Sequence, residues 1–247
     1  MIEKGKIIVF EGLDCSFKET NYKKFVENLK KNYGLEEGKD LVTESFPRYD
    51  NEITTPLKKW LNGSLNRDIL KMIPNAVNTL YSIDRMDFWL NNNHNHLEHR
   101  KDYTFVFDRY SLSNGIYNPV NFREVTSVDI LNDPITFGIP LSNVIVWMRM
   151  KDFDILKSLI NKKSGKDENE KDLSFIENVW NNSEKFIQND KLIDKFGIDL
   201  IVIDCIDDNG NIKSEDELEQ EVWDKVHPIL ERPSKKINIE KILSGEM

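Results

Sequence analysis

A short apolar run that ends at a glycine, with a lysine at the head of the amphipathic stretch behind it, constrains this chain more than any other feature. Ile7, Ile8, Val9 and Phe10 precede Gly12, and Tyr22, Phe25, Val26 and Leu29 follow Lys18. The run is short and β-branched, which fits a strand buried on both faces of a parallel sheet. The later residues recur at i, i+3, i+4 and i+7, the spacing of an amphipathic helix. A strand, a tight loop and a helix N-terminus make a concavity of backbone N–H groups suited to phosphate, to which a lysine adds a point charge. The loop from Gly12 to Thr20 resembles G-x-x-x-x-G-K-[ST]. It carries Phe17 at the second glycine and Glu19 at the Mg²⁺-binding hydroxyl, with Ser16 and Thr20 beside them. On these residues alone, an ordinary βα turn with a chance lysine stays open beside a nucleotide loop.

The alternation repeats down the chain. Leu41 to Phe46, Tyr103 to Phe107, Asn143 to Met148 and Leu200 to Asp204 read as further strands. Helical spacing lies between them, over roughly 68–97, 125–137, 152–160, 175–187 and 218–229, with a short helix at Leu57 to Leu61. Five strands alternating with helices predict an α/β chain, a doubly wound five-stranded parallel sheet with right-handed crossovers. Ligands in such sheets sit at the carboxyl ends of the strands. Pro47-Arg48-Tyr49-Asp50 and Asp108-Arg109-Tyr110 fall at such ends. Asp108 suits a Mg²⁺ shell and Arg109 a phosphate, although a strand-capping ion pair is the plainer alternative. Val77, Leu80, Tyr81, Asp84, Arg85 and Phe88 share one helical face. An Asp–Arg pair on an apolar face is unusual, since buried charges are normally paired, and a snorkelling Arg85 is the bland alternative.

Composition narrows the function. The 247 residues allow one domain, and a formal charge of −9 argues against a protein that coats nucleic acid. No apolar run approaches the roughly 18 residues of a membrane span, and the amino terminus has no signal-like core, so no membrane partner and a cytoplasmic location are expected. Cys15 and Cys205 form no disulfide or metal pattern. His94, His96 and His99 lack ligand spacing and sit among asparagines, which favours a solvated loop. The charged segment 161–172 reads as a connection that could act as a lid. Residues 1–230 form the expected single domain, and 231–247 a polar tail.

With these motifs in order, the chain resembles the thymidylate kinases, nucleoside-monophosphate kinases built on the P-loop NTPase-like fold. Phe10-Glu-Gly-Leu-Asp14 with Lys18 is similar to the family's E-G-x-D-G-x-G-K-T-T, and Phe46-Pro47-Arg48-Tyr49-Asp50 to its F-P-R-Y loop. Tyr81-Ser-Ile-Asp-Arg85 resembles F-x-x-[ND]-R, and Asp108-Arg-Tyr-x-x-Ser113 resembles D-R-Y-x-x-S. Gly138-Ile-Pro140 and the lid Lys166 to Asp172 follow in their expected places. The resemblance implies ATP and Mg²⁺ as cofactors, a pyrimidine deoxynucleotide such as dTMP or dUMP as acceptor, and a homodimer. It assigns Gly12, Cys15, Ser16, Phe17, Lys18, Glu19 and Thr20 to ATP. Asp108 and Thr20 go to the metal, and Lys18, Asp14 and Arg109 to catalysis. For the acceptor it assigns Asp14, Phe46, Arg48, Leu61, Tyr81, Arg85, Arg109, Asn114 and Tyr117. The family's loop arginine often falls one position later, at Tyr49. The lid has no arginine, so Lys162, Lys163 and Lys166 are its expected cations. A catalytically impaired nucleotide-binding protein on the same fold is the alternative reading.

Overall fold

The computed structural model describes residues 2–65, 76–90, 100–117, 133–134, 136–188 and 196–235. Five strands form one parallel sheet: β1 (Ile7–Gly12), β2 (Leu41–Ser45), β3 (Thr104–Asp108), β4 (Val144–Arg149) and β5 (Asp199–Asp204). Their order is β2-β3-β1-β4-β5. The apolar runs become the middle of the sheet, and every residue of β1 and β3 is buried. The edge strands β2 and β5 are partly exposed.

Period-two alternation then builds two cores. Ile8, Phe10 and Val106 belong to one apolar cluster, while Ile7, Val9, Phe105 and Phe107 belong to another. The helices that cover them are α1 (Lys18–Tyr33), α2 (Thr55–Leu61), α3 (Ala76–Leu90), α4 (Leu112–Ile116), α5 (Phe153–Lys162), α6 (Leu173–Gln188) and α7 (Glu215–Leu230). Phe25, Leu29, Leu156, Val179 and Val222 join the first core, and Phe88 and Trp89 of α3 join the second. Each such side chain contributes about 1.5–3 kcal/mol on burial. Helix starts follow the expected chemistry: Asp152 caps α5 through the Ile155 N–H, and Ser214 with Glu217 forms a capping box on α7.

The described part of the expected helix over 68–97 is α3. The remainder of that stretch, with His94, His96 and His99, lies outside the described residues, as does most of 125–137. The tail beyond residue 235 does so too. Residues 231–235 return to the amino-terminal edge of the sheet. There Lys6 Nζ donates to the carbonyls of Ile229 and Arg232 at the end of α7, where a cation complements the helix dipole. Among the described residues, no helix is long and apolar enough to cross a membrane.

β1 sits between β3 and β4, so the sheet reverses its direction of growth there. The crevice outside the carboxyl ends of β1 and β3 is the place where such a sheet accepts a ligand.

Candidate active site

The loop after β1 keeps a glycine-rich shape with few glycines. Gly12 has φ 151°, and a Cβ there would lie 2.6 Å from Ser16 Oγ and 2.7 Å from the Met148 carbonyl. Cys15 and Phe17 both adopt left-handed backbone, at φ 62° and 60°. Phe17 therefore takes the conformation that a glycine would supply, which answers how its backbone follows the loop. Cys15 stands at another glycine of the family pattern, a departure that sequence reading passed over. A left-handed non-glycine residue costs roughly 1–2 kcal/mol, so the surroundings hold this shape. Ser16 N–H donates to the Leu13 carbonyl at 3.3 Å. Cys205 Sγ donates to the Ser16 carbonyl at 3.3 Å, and Asn21 Nδ2 to the Phe17 carbonyl at 2.9 Å. Ser16 Oγ is buried with no partner, an open polar atom inside an anion-type nest.

Lys18 opens α1 and pairs with the Asp108 carboxylate at the end of β3. Burial lowers its pKa, neighbouring Arg109 lowers it further, and Asp108 opposes both. Arg109 has φ 66° and donates to Asp14 at 2.7 Å and to the Gly12 carbonyl at 3.2 Å. Its guanidinium lies 4.9 Å from the Tyr117 ring centroid. Burial acts to lower its pKa, but Tyr117, Asp14, Asp108 and Glu11 outweigh that and hold the cation. Behind them Glu11 accepts from Tyr110 N–H at 2.9 Å and from Ser113 Oγ at 2.7 Å, tying β1 to the loop after β3. Burial raises the Glu11 pKa.

These groups open into a cavity of about 510 Å³. Asp14, Lys18, Glu19, Asp108 and Arg109 line it, and so do Phe46, Leu61, Tyr81, Arg85, Asn114 and Tyr117. Gly12, Cys15, Ser16, Phe17 and Thr20 belong to the loop and the start of α1 beside the cavity rather than to its wall. Arg48 is placed differently from its expected position beside a monophosphate. It does not line the cavity. Its Nε donates to Asp84 Oδ1 at 2.9 Å and its Nη2 to Asp87 Oδ2 at 2.6 Å, so two carboxylates one helical turn apart on α3 claim the guanidinium. Tyr49, one residue on, lines the cavity instead. The supposed Asp84–Arg85 pair divides likewise: Asp84 serves Arg48, and Arg85 Nε donates to Asp133 Oδ2 at 2.6 Å. Arg85 Nη2 is buried with no partner.

Of the segment 161–172, the first two residues finish α5 and the rest folds as a hydrogen-bonded turn. Asp167 Oδ1 accepts from the N–H groups of Asn169 and Glu170, each at 2.8 Å, and Lys163 pairs with Glu170. Glu168 N–H donates to the Leu61 carbonyl at 3.2 Å, joining the turn to the end of α2. Lys163 reaches the cavity, as do Asp167 and Glu170, whereas Lys162 and Lys166 do not. Burial raises the Asp167 pKa.

Among the described residues no group of three or more His, Cys, Asp or Glu is arranged to cage a metal. Mg²⁺ needs no cage; it keeps waters and takes one or two carboxylates together with substrate phosphates. Asp108, on the cavity wall, supplies a hard oxygen of that kind, so the residues present fit it, whereas Thr20, the other expected ligand, does not line the cavity. The five carboxylates lining the cavity would otherwise repel a polyphosphate.

No protein-family model and no curated protein sequence matches this chain. Solved structures do. The thymidylate kinase of Candida albicans superposes with a TM-score of 0.62 at 15% identity, covering 95% of this chain and 97% of that one. The thymidylate kinase of Ehrlichia chaffeensis gives 0.59 at 15% identity, with 90% and 98% covered. The fold is that of the thymidylate kinases. The thymidylate kinase fold thus extends over nearly the whole chain, as the sequence motifs imply, at an identity where shape outlasts sequence.

Proposed function

We propose that this protein transfers the γ-phosphate of ATP to a pyrimidine deoxynucleoside monophosphate, dTMP or the closely similar dUMP. The observation that carries the reading is one cavity, at the switch point of the sheet, where Lys18, Arg109 and Arg85 meet an aromatic wall bearing Tyr81. Phosphoryl transfer asks a protein for alignment and charge neutralisation rather than covalent chemistry. The backbone N–H groups of Gly12 to Lys18 would cradle the ATP phosphates, with Lys18 Nζ on the transferring group. The Asp108 carboxylate would hold Mg²⁺, which when bound draws charge from the phosphate oxygens. Arg109, kept cationic by Asp14 and Tyr117, would orient the acceptor phosphate, and Tyr81 would stack on the base. The lid turn would exclude water.

Left-handed Cys15 and Phe17 support a working loop, because an idle loop gains nothing from holding strained backbone. A coupled ADP-release assay with ATP, Mg²⁺ and a panel of nucleoside monophosphates tests the proposal. Turnover with dTMP or dUMP is expected. Tight nucleotide binding with no turnover overturns it and leaves a nucleotide-binding protein on a kinase fold.

A further inference from the structure

Asp133 is absent from every motif, yet it organises two of the groups facing the acceptor. It is 1% exposed and each carboxylate oxygen has a separate task. Oδ2 takes Arg85 Nε at 2.6 Å, which fixes the plane of a guanidinium whose residue lines the cavity wall and whose Nη2 is buried with no partner. Oδ1 lies 2.6 Å from Ser82 Oγ, closer than the Asn78 carbonyl at 3.0 Å. A hydroxyl has one proton, and the charged, shorter acceptor takes it. Ser82 Oγ must then accept from its remaining neighbour, Asn114 Nδ2, at 2.9 Å. A second contact, Asn114 Nδ2 to the Asn78 carbonyl at 3.3 Å, uses the other amide proton. Both Asn114 donors therefore point into the protein, and its Oδ1 is the polar atom left for the ligand.

We propose that Asp133 is a positioning residue that sets the hydrogen-bond polarity of the acceptor-base pocket, fixing Arg85 directly and the Asn114 amide through Ser82. This inference rests on the proposed function and adds what chooses the base. The pocket then offers the Arg85 guanidinium as donor and Asn114 Oδ1 as acceptor. A uracil or thymine edge presents the complement, a carbonyl oxygen and a ring N–H. A cytosine edge presents an amine and an unprotonated ring nitrogen, mismatched at both places. Reversing one link leaves a buried polar group unpaired, the kind of error that binding sites discriminate against strongly. A neutralised Arg85–Asp133 pair also suits a neutral carbonyl better than a phosphate, which leaves the phosphate to Arg109.

The test compares kcat/KM for dTMP and dCMP in the wild type, Asp133→Asn and Ser82→Ala, with KM for ATP and melting temperature measured alongside. The wild type is expected to prefer dTMP. Asp133→Asn should lower the dTMP-to-dCMP ratio by about 10- to 100-fold, mainly through KM for dTMP, with KM for ATP within about two-fold. Ser82→Ala cuts only the relay to Asn114 and should move the ratio in the same direction by about 5- to 10-fold. Asp133→Glu, which keeps the carboxylate, should recover part of the loss. A purely structural role would lower both substrates together and leave the ratio fixed; an unchanged ratio in folded Ser82→Ala and Asp133→Asn overturns the inference while turnover upholds the kinase reading. If the wild type turns over nothing, the same ratio is read from calorimetric Kd values. Failure to bind either nucleotide sinks both readings.

Discussion

The loop after β1 and the pocket around Arg85 lie against one cavity and depart from the motifs they resemble in opposite ways. In the loop, side chains depart from the family pattern at Cys15, Phe17 and Glu19, while the backbone keeps the left-handed turns that a glycine pattern would encode. In the pocket, Arg85 stands at the arginine of F-x-x-[ND]-R with Tyr81 at its aromatic position, and Arg85, Asn114 and Tyr117 are each held by specific neighbours. Under the proposed function the loop would recognise with backbone N–H groups, so side chains there can vary if the surroundings enforce the shape. The pocket would recognise with side-chain atoms, so identity and orientation must both persist.

Four substitutions press on this contrast, beginning with the one point where the loop does rely on a side chain. Lys18→Ala should lower kcat at least about 100-fold in the ADP-release assay, the size expected for removing one preorganised charge. Near-wild-type turnover would remove Lys18 from the mechanism. Arg85→Lys keeps the charge but loses the planar fork, and should raise KM for the acceptor about 10- to 30-fold while KM for ATP stays within about two-fold. An equal rise in both would erase the division of labour. Phe17→Gly should leave kcat within about three-fold, whereas Phe17→Val, a β-branched residue in left-handed backbone, should cost about 2 kcal/mol by urea titration. A collapse of activity in Phe17→Gly would show that the phenyl ring itself does chemistry.

The smallest effect concerns Glu11, which links the two regions. Its pKa is raised by burial, so the fold prefers the protonated carboxyl. That contribution is present below the unfolded value, about 4.3, and is lost as pH rises through the raised folded value. Glu11→Gln should therefore gain on the wild type as pH rises above the unfolded value, by about 3 °C in melting temperature. A difference independent of pH would mean that Glu11 is not penalised for ionising.

The fold was legible because buried parallel strands leave continuous apolar runs, and each expected strand lies within two residues of the observed one at either end. Lys18, Asp108 and Arg109 were legible because loops at the carboxyl ends of neighbouring strands must converge. Asp133 was not, since nothing local marks a carboxylate that meets Arg85 from 48 residues away. Arg48 was misplaced for a related reason. Adjacency in sequence paired Asp84 with Arg85, whereas helix geometry turns Asp84 and Asp87 together toward Arg48. The left-handed state of Cys15 had a signal, its place at a glycine of the pattern, and only backbone geometry showed its meaning.

The single backbone hydrogen bond from Glu168 to Leu61 reaches beyond local structure. Leu61 is at once part of the cavity wall and the anchor of the turn that would cover it under the proposed function. A molecule settling against that wall acts on the cover through a shared hinge, and by thermodynamic reciprocity closure of the cover strengthens the molecule's hold by the same factor. Filling the pocket and shutting the door are then one linked equilibrium, so under the proposed function a bound ATP would be guarded from water most closely when an acceptor is there to receive its phosphate.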